Sequence, residues 1–187
     1  MTTRVVLALT GNDRVSFLQG LVTNDVAKAQ DGIIYTALLT PQGQLITDFF
    51  VVGQADRLLL DVSQAAAPTL FQRLSMYKLR ADVQINETGL TVSRGLGDMP
   101  PEAVKDPRGP ELGWRLYTDK DVSDDVDWDA LRVQGAVPEF GRELSGDSYI
   151  LEMGFERING VDFKKGCYVG QEVTARMKHK TALKKGL

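Results

Sequence analysis

Read from its start, the chain alternates short apolar runs with turn-forming residues. Val5-Val6-Leu7-Ala8-Leu9 is cut off by Gly11-Asn12-Asp13 and reads as a buried strand. Residues 13–22 follow as a short helix, with Asp13 as a possible N-cap and Phe17, Leu18, Leu21 and Val22 on one face. Two strands, over 32–39 and 45–52, flank Pro41-Gln42-Gly43-Gln44, which has the composition of a hairpin turn, and a third covers 57–62. Ser63 is placed to cap a helix over 65–78, with Pro68 in its first turn and Leu70, Phe71, Leu74 and Tyr77 as an apolar stripe that should pack on the sheet. Segments 83–86 and 90–93 read as two more strands about Glu87-Thr88-Gly89. A Pro/Gly-rich connection leads to a strand over 114–117, and 128–134 reads as a helix. From Val173 onward the segment is basic with few apolar residues, and it is expected to be either a short tail or the beginning of a further domain.

Consecutive strands joined by short turns, without regular alternation of strand and helix, predict an α+β fold with a largely antiparallel sheet. The 187 residues, 43% of them hydrophobic, suffice for one domain or two small intertwined subdomains. No uncharged apolar run approaches the roughly 20 residues of a membrane helix, and Val5 to Leu9 is too short for a signal-peptide core. The single cysteine excludes an internal disulfide and, without an export signal, points to a reducing compartment. One cysteine and one histidine do not make a zinc site from soft ligands alone, and no metal site is expected. A net charge of -3 argues against a generally basic nucleic-acid surface. The charge is nevertheless uneven. Asp119, Asp121, Asp124, Asp125, Asp127 and Asp129 share one stretch, whereas Lys164, Lys165, Arg176, Lys178, Lys180, Lys184 and Lys185 crowd the other end. These read as a solvated loop and a solvated tail, or as a basic rim for a polyanion.

Phosphate-binding fingerprints are absent, and Gly95-Leu96-Gly97 reads as a loop. His179, among like charges, reads as an exposed side chain. Asp48 is more informative, because it interrupts a bulky run on a strand expected at the centre of the sheet, where a carboxylate is costly without a partner or a cleft. Strand alternation places it on one face with Phe50, opposite Thr47, Phe49 and Val51. Tyr35 lies within reach across the hairpin, as a stacking wall or as core. Cys167 stands between polar or flexible neighbours, where cations, backbone amides or a following helix N-terminus would favour the thiolate; the competing reading is a buried apolar filler.

Lys165-Gly166-Cys167-Tyr168-Val169-Gly170-Gln171-Glu172 resembles the K-G-C-[FY]-x-G-Q-E signature of the YgfZ family, folate-binding relatives of the glycine-cleavage T-protein, an aminomethyltransferase. Residues 17–26, residues 35–43 followed by Asp48, and residues 131–141 agree in order. The resemblance implies a T-protein-like α+β fold of two intertwined subdomains over 1–187, binding tetrahydrofolate or a one-carbon derivative. It also implies a C-terminal β-barrel domain beyond the end of this chain. By that resemblance Asp48 faces the reactive folate nitrogens, Tyr35 lines the folate, and Gln134 stands where the T-protein has a glutamate gripping the pterin. A Gln amide offers one carbonyl oxygen where a carboxylate accepts two donor bonds, so this substitution weakens the match. Lys165 and Cys167 belong to the signature itself, and with Asp48 they are the expected catalytic residues.

The function so implied is folate-dependent assembly or repair of iron–sulfur clusters, with effects on tRNA-modifying iron–sulfur enzymes, in the cytoplasm or, in a eukaryote, the mitochondrial matrix. Partners would be folate and iron–sulfur clients or assembly proteins. Two alternatives stand beside it: a folate-dependent aminomethyltransferase, and a non-enzymatic adaptor that binds protein or RNA through the Lys164 to Lys185 rim. Clusters are ordinarily held by several cysteine thiolates, and this chain has one.

Overall fold

The computed structural model describes residues 3–180. Strands β1 (Arg4–Thr10), β2 (Ile33–Leu39), β3 (Leu45–Gly53), β4 (Arg57–Ser63) and β5 (Gln84–Glu87) form one sheet in the order β2-β3-β4-β1-β5. Strands β6 (Thr91–Gly95), β7 (Val104–Lys105) and β8 (Trp114–Thr118) form a second, ordered β6-β8-β7. Every ladder is antiparallel, as the short turns predict. Helices are few: α1 (Arg14–Gln19), α2 (Ala67–Lys78), α3 (Trp128–Gln134) and α4 (Gln171–Lys180), with 3-10 turns at Val26–Asp31 and Pro110–Leu112.

The larger sheet is buried on both faces, and strand alternation decides what each face carries. Leu7, Leu9, Phe49, Val51, Leu58, Leu60 and Val62 point to one side, where α1 and α2 contribute Leu18, Leu70 and Leu74. Tyr35, Phe50, Leu39 and Leu45 point to the other, against Ile150, Phe155, Ile158 and Tyr168. Register then lines up a mixed row on this second face. Val6 pairs with Asp61, Asp61 with Phe50, and Phe50 with Tyr35, so one row across four strands carries a fully buried carboxylate and a tyrosine on either side of Phe50.

Local readings needed correction at four places. Segments 83–86 and 90–93 do form strands, but β5 joins β1 whereas β6 joins β8, so the turn between them passes from one sheet to the other. α2 begins at Ala67 rather than 65, because Ser63 Oγ accepts the Ala66 amide in a turn ahead of the helix, and Phe71 leaves the expected stripe to lie 44% exposed. The Asp13 side chain makes no cap bond to α1; its carboxylate accepts the Asp82 amide instead. The basic stretch from Val173 continues the helix α4, which starts at Gln171, buries Thr174 and packs Met177 against the second core face. Two or three inward side chains in ten residues give too faint a period to read as a helix from sequence.

Candidate functional site

Asp48 and Tyr35 meet across the β2–β3 hairpin. The Tyr35 hydroxyl donates to Asp48 Oδ2 at 2.8 Å, while Asp48 Oδ1 is buried without a hydrogen-bond partner. Burial raises the Asp48 carboxyl above the ordinary carboxylate range, although Arg4, the Tyr35 hydrogen bond and Arg108 all oppose the rise. The Tyr35 ring is wholly buried, with Phe50 and Phe155 centroids 5.1 and 5.2 Å away and the Arg108 guanidinium 5.4 Å from its centre.

The same face holds a polar network between the two sheets. Asp61 Oδ1 accepts from Arg4 Nε at 2.6 Å, and its Oδ2 accepts from Arg115 Nη2 at 2.6 Å and from the Tyr117 hydroxyl at 3.0 Å. Asp106 accepts two bonds from the Arg108 guanidinium, at 3.0 and 2.8 Å, one from the Arg108 amide at 3.1 Å, and one from Arg115 at 3.2 Å. Burial alone would raise both acids; the guanidiniums beside them outweigh it and hold both below the usual range. Arg115 also covers Phe50, 4.0 Å from the ring centre. None of these residues stands out in the sequence as part of a motif. One signal was present: Asp61 interrupts Leu58-Leu59-Leu60 and Val62 just as Asp48 interrupts its own strand.

Tetrahydrofolate can be tested against this arrangement. The cavity beside Phe50 is lined by Arg4, Arg94, Arg108, Arg115, Trp128 and Arg132 and encloses about 30 Å³, too little for a bicyclic pterin; a larger cavity of about 550 Å³ opens between Asn24, Ile33, Pro107, Asn159 and Phe163, and none of Tyr35, Asp48 and Gln134 lines it. Tyr35 and Asp48 are buried outside the lining at Phe50, and Gln134 is exposed at the end of α3, also outside it. Tyr35, Asp48 and Gln134 therefore do not together enclose a space that fits the cofactor.

The octapeptide forms a second locus. Residues 165–170 form a loop, and α4 starts at Gln171. Cys167 is exposed, which sets aside its reading as a core filler. Lys165 is buried, and its ammonium donates to the Gln19 carbonyl at 2.7 Å and to the Val22 carbonyl, the oxygens left over where α1 ends. Burial lowers its pKa to about 8, which leaves it mostly protonated at neutral pH. Lys165 is thus held in place by two of its three donors, both given to backbone carbonyls. Upstream, Asn24 Nδ2 donates to the Tyr35 and Asn159 carbonyls at 2.8 and 2.7 Å, and the Thr23 hydroxyl donates to Gly160 at 2.7 Å, tying the run into the loop to β2. Replacing Lys165 with Met should cost about 1–3 kcal/mol, since two buried carbonyls lose their donor. It should also speed amide exchange over 165–170; urea unfolding and hydrogen exchange read the two effects.

The other rim residues are less available than their charge suggests. Arg176 pairs with Glu172 and Lys178 with Glu156, while His179 is exposed. Lys184 and Lys185 lie outside the described residues. The acidic stretch is partly structural: Asp124 accepts the Leu96 and Gly97 amides, and Asp127 caps α3 by accepting from Ala130. Among the described residues, no three His, Cys, Asp or Glu side chains are grouped to hold a metal, and no helix is long and apolar enough to cross a membrane.

No protein-family model matches the chain. It is similar to the mitochondrial iron–sulfur cluster assembly factor IBA57 homolog of Mycosarcoma maydis, at 31% identity over 97% of this chain and 54% of that protein. It is similar also to the mitochondrial iron–sulfur cluster assembly factor IBA57 of Mus musculus, at 30% over 98% of this chain and 63% of that protein, and of Homo sapiens, at 28% over the same shares. The chain thus spans between about half and two thirds of the length of these relatives. Among solved structures, the glycine cleavage system aminomethyltransferase T from Bartonella henselae aligns over 48% of this chain and 25% of its own, with a TM-score of 0.45 and 20% identity.

Proposed function

We propose that this chain is part of an iron–sulfur cluster assembly factor, of the kind its relatives are named for, and that Cys167 is its working thiol. The observation that carries the reading is the exposure of the one cysteine on a loop anchored beside it by Lys165. Iron in clusters is held by thiolates, and one thiol does not complete a site. Cys167 then acts on a cluster shared with a partner protein that supplies the remaining ligands, so the cluster is cargo and the partner is an assembly protein or a client. Clients would include the tRNA-modifying iron–sulfur enzymes that the YgfZ resemblance implies. A mitochondrial place, as in the relatives' names, follows for a eukaryotic source, with the matrix as the compartment, and the cytoplasm otherwise. RNA as a direct partner has less support, because Lys165, Arg176 and Lys178 of the basic rim are engaged with protein groups. Folate and aminomethyl transfer have less support as well, because Tyr35, Asp48 and Gln134 line neither the cavity at Phe50 nor the larger one beside β2.

Cys167→Ser is the test. In cells depleted of their own factor, the variant should restore client iron–sulfur enzyme activity at least about tenfold less well than the unaltered protein. Its stability should stay within about 0.5 kcal/mol, as for an exposed substitution. Full restoration by the serine variant would sink the thiol reading.

A further inference from the structure

Charge matching around the cavity between the two sheets is incomplete. Arg4, Arg108 and Arg115 share only two carboxylates, those of Asp61 and Asp106. Asp48 does not make up the difference, because burial favours its neutral form. Arg94 adds a fourth cation. Its guanidinium is stacked 4.0 Å over Trp128, it forms no ion pair with any described carboxylate, and its buried Nε–H has no hydrogen-bond partner. Crowding by burial and by Arg115 and Arg108 lowers its pKa to about 9, the response of a cation short of negative charge. Two acids line the cavity as well: Asp129 is hydrogen-bonded to Arg132 and Arg142, whereas Glu139 Oε2 lies 3.6 and 3.3 Å from the same two guanidiniums and is buried without a hydrogen bond, so an anion would sit on the Arg94 side, away from Glu139.

A buried donor without an acceptor beside excess positive charge is costly unless something negative joins it. The enclosed space of about 30 Å³ has room for roughly two water-sized bodies. We propose that this cavity, between Arg94, Trp128 and Phe50, is a binding site for a compact monovalent anion: chloride, or a carboxylate or nitrate group of similar size. The Arg94 Nε–H and the neighbouring guanidiniums hold it by charge-assisted hydrogen bonds. Trp128 and Phe50 keep bulk water away, which strengthens that attraction. The site joins residues from β1, β3, β6, β8, α3 and the loop after β7, so an anion there would couple the second sheet to the first.

The experiment compares chloride, formate and nitrate with gluconate at fixed ionic strength, gluconate being too large to enter. Thermal unfolding and the ³⁵Cl NMR line width of the unaltered protein are followed in parallel. A saturable rise in Tm is expected in the three small anions and not in gluconate, with ³⁵Cl broadening displaced by nitrate. Arg94→Gln should weaken binding by about tenfold or more. Equal Tm in chloride and gluconate, or no displaceable broadening, overturns the site; so does an Arg94→Gln variant with unchanged anion dependence. Should that variant not fold, the line-width displacement on the unaltered protein still decides. Cys167→Ser leaves this readout untouched, so failure here and failure of the thiol reading are separable.

Discussion

Asp61→Asn is expected to destabilise the fold by about 3–5 kcal/mol, the range for breaking a buried ion cluster from one side. The carboxylate is inaccessible to solvent and accepts from Arg4, Arg115 and Tyr117, so its loss leaves two guanidiniums facing each other with one carboxylate, Asp106, for Arg108 and Arg115 together. Asn keeps the shape but offers one acceptor and adds two donors to a site already rich in donors. Urea unfolding measures the loss, and the further change Arg115→Met in the Asn background should recover part of it by removing a stranded charge. A loss below about 1 kcal/mol would mean that water reaches the network and that the two sheets are not locked there. The pH dependence has a defined sign. Asp61 and Asp106 have folded pKa values below their unfolded ones, so their stabilisation is present above the ordinary carboxylate pKa and is lost as pH falls through the folded values. Asp48 has the opposite sign: its folded pKa is raised, so stability falls as pH rises from the unfolded toward the folded value. Asp61→Asn should flatten the acid limb, and Asp48→Asn should remove the opposing slope.

How far the fold was legible follows from what fixes each element. The β2–β3 hairpin, β1, β4 and α3 were readable because the turn residues and the apolar periods agree. The fate of the two strands around Glu87-Thr88-Gly89 was not, since nothing local distinguishes a hairpin from a chain that crosses between sheets. At the candidate site, Asp48 and Tyr35 were legible as a pair because a carboxylate inside an apolar strand needs a partner and Tyr35, diagonal to it across the hairpin on the same face, is long enough to supply one. Arg94, Arg108 and Arg115 were not, because an arginine in a polar-looking run is ordinary until the packing of a second sheet buries it. Lys165 shows the limit from the other direction. A signature residue beside the thiol looked chemical, yet its ammonium is engaged with the end of α1, 146 residues away in sequence.

Gly170→Ala is expected to be nearly as damaging, and it separates the position of Cys167 from its chemistry. Gly170 has φ +84, where an L side chain costs about 1–2 kcal/mol. A Cβ there would sit 2.6 Å from the Thr40 carbonyl oxygen and 3.0 Å from Leu39 Cβ, atoms held by the hairpin and unable to withdraw cheaply. The fit is reciprocal: Gly43, in the turn of that hairpin, would meet Val173 of α4 at 2.8 Å if it carried a Cβ. Two glycines thus allow the octapeptide and the first turn of α4 to seat on the β2–β3 turn. Together strain and clash should cost about 2–4 kcal/mol. The loss should concentrate at this seat, raising amide exchange and protease sensitivity over 165–175 before the rest of the sheet opens. Cys167 is already exposed, so its alkylation should change little while restoration of client iron–sulfur enzymes falls. If Gly170→Ala leaves that restoration intact despite the loosened seat, a thiol on a mobile loop suffices. If restoration falls with the thiol still present and reactive, the partner reads the docked loop as a surface, and the seat on the hairpin turn is part of what it recognises.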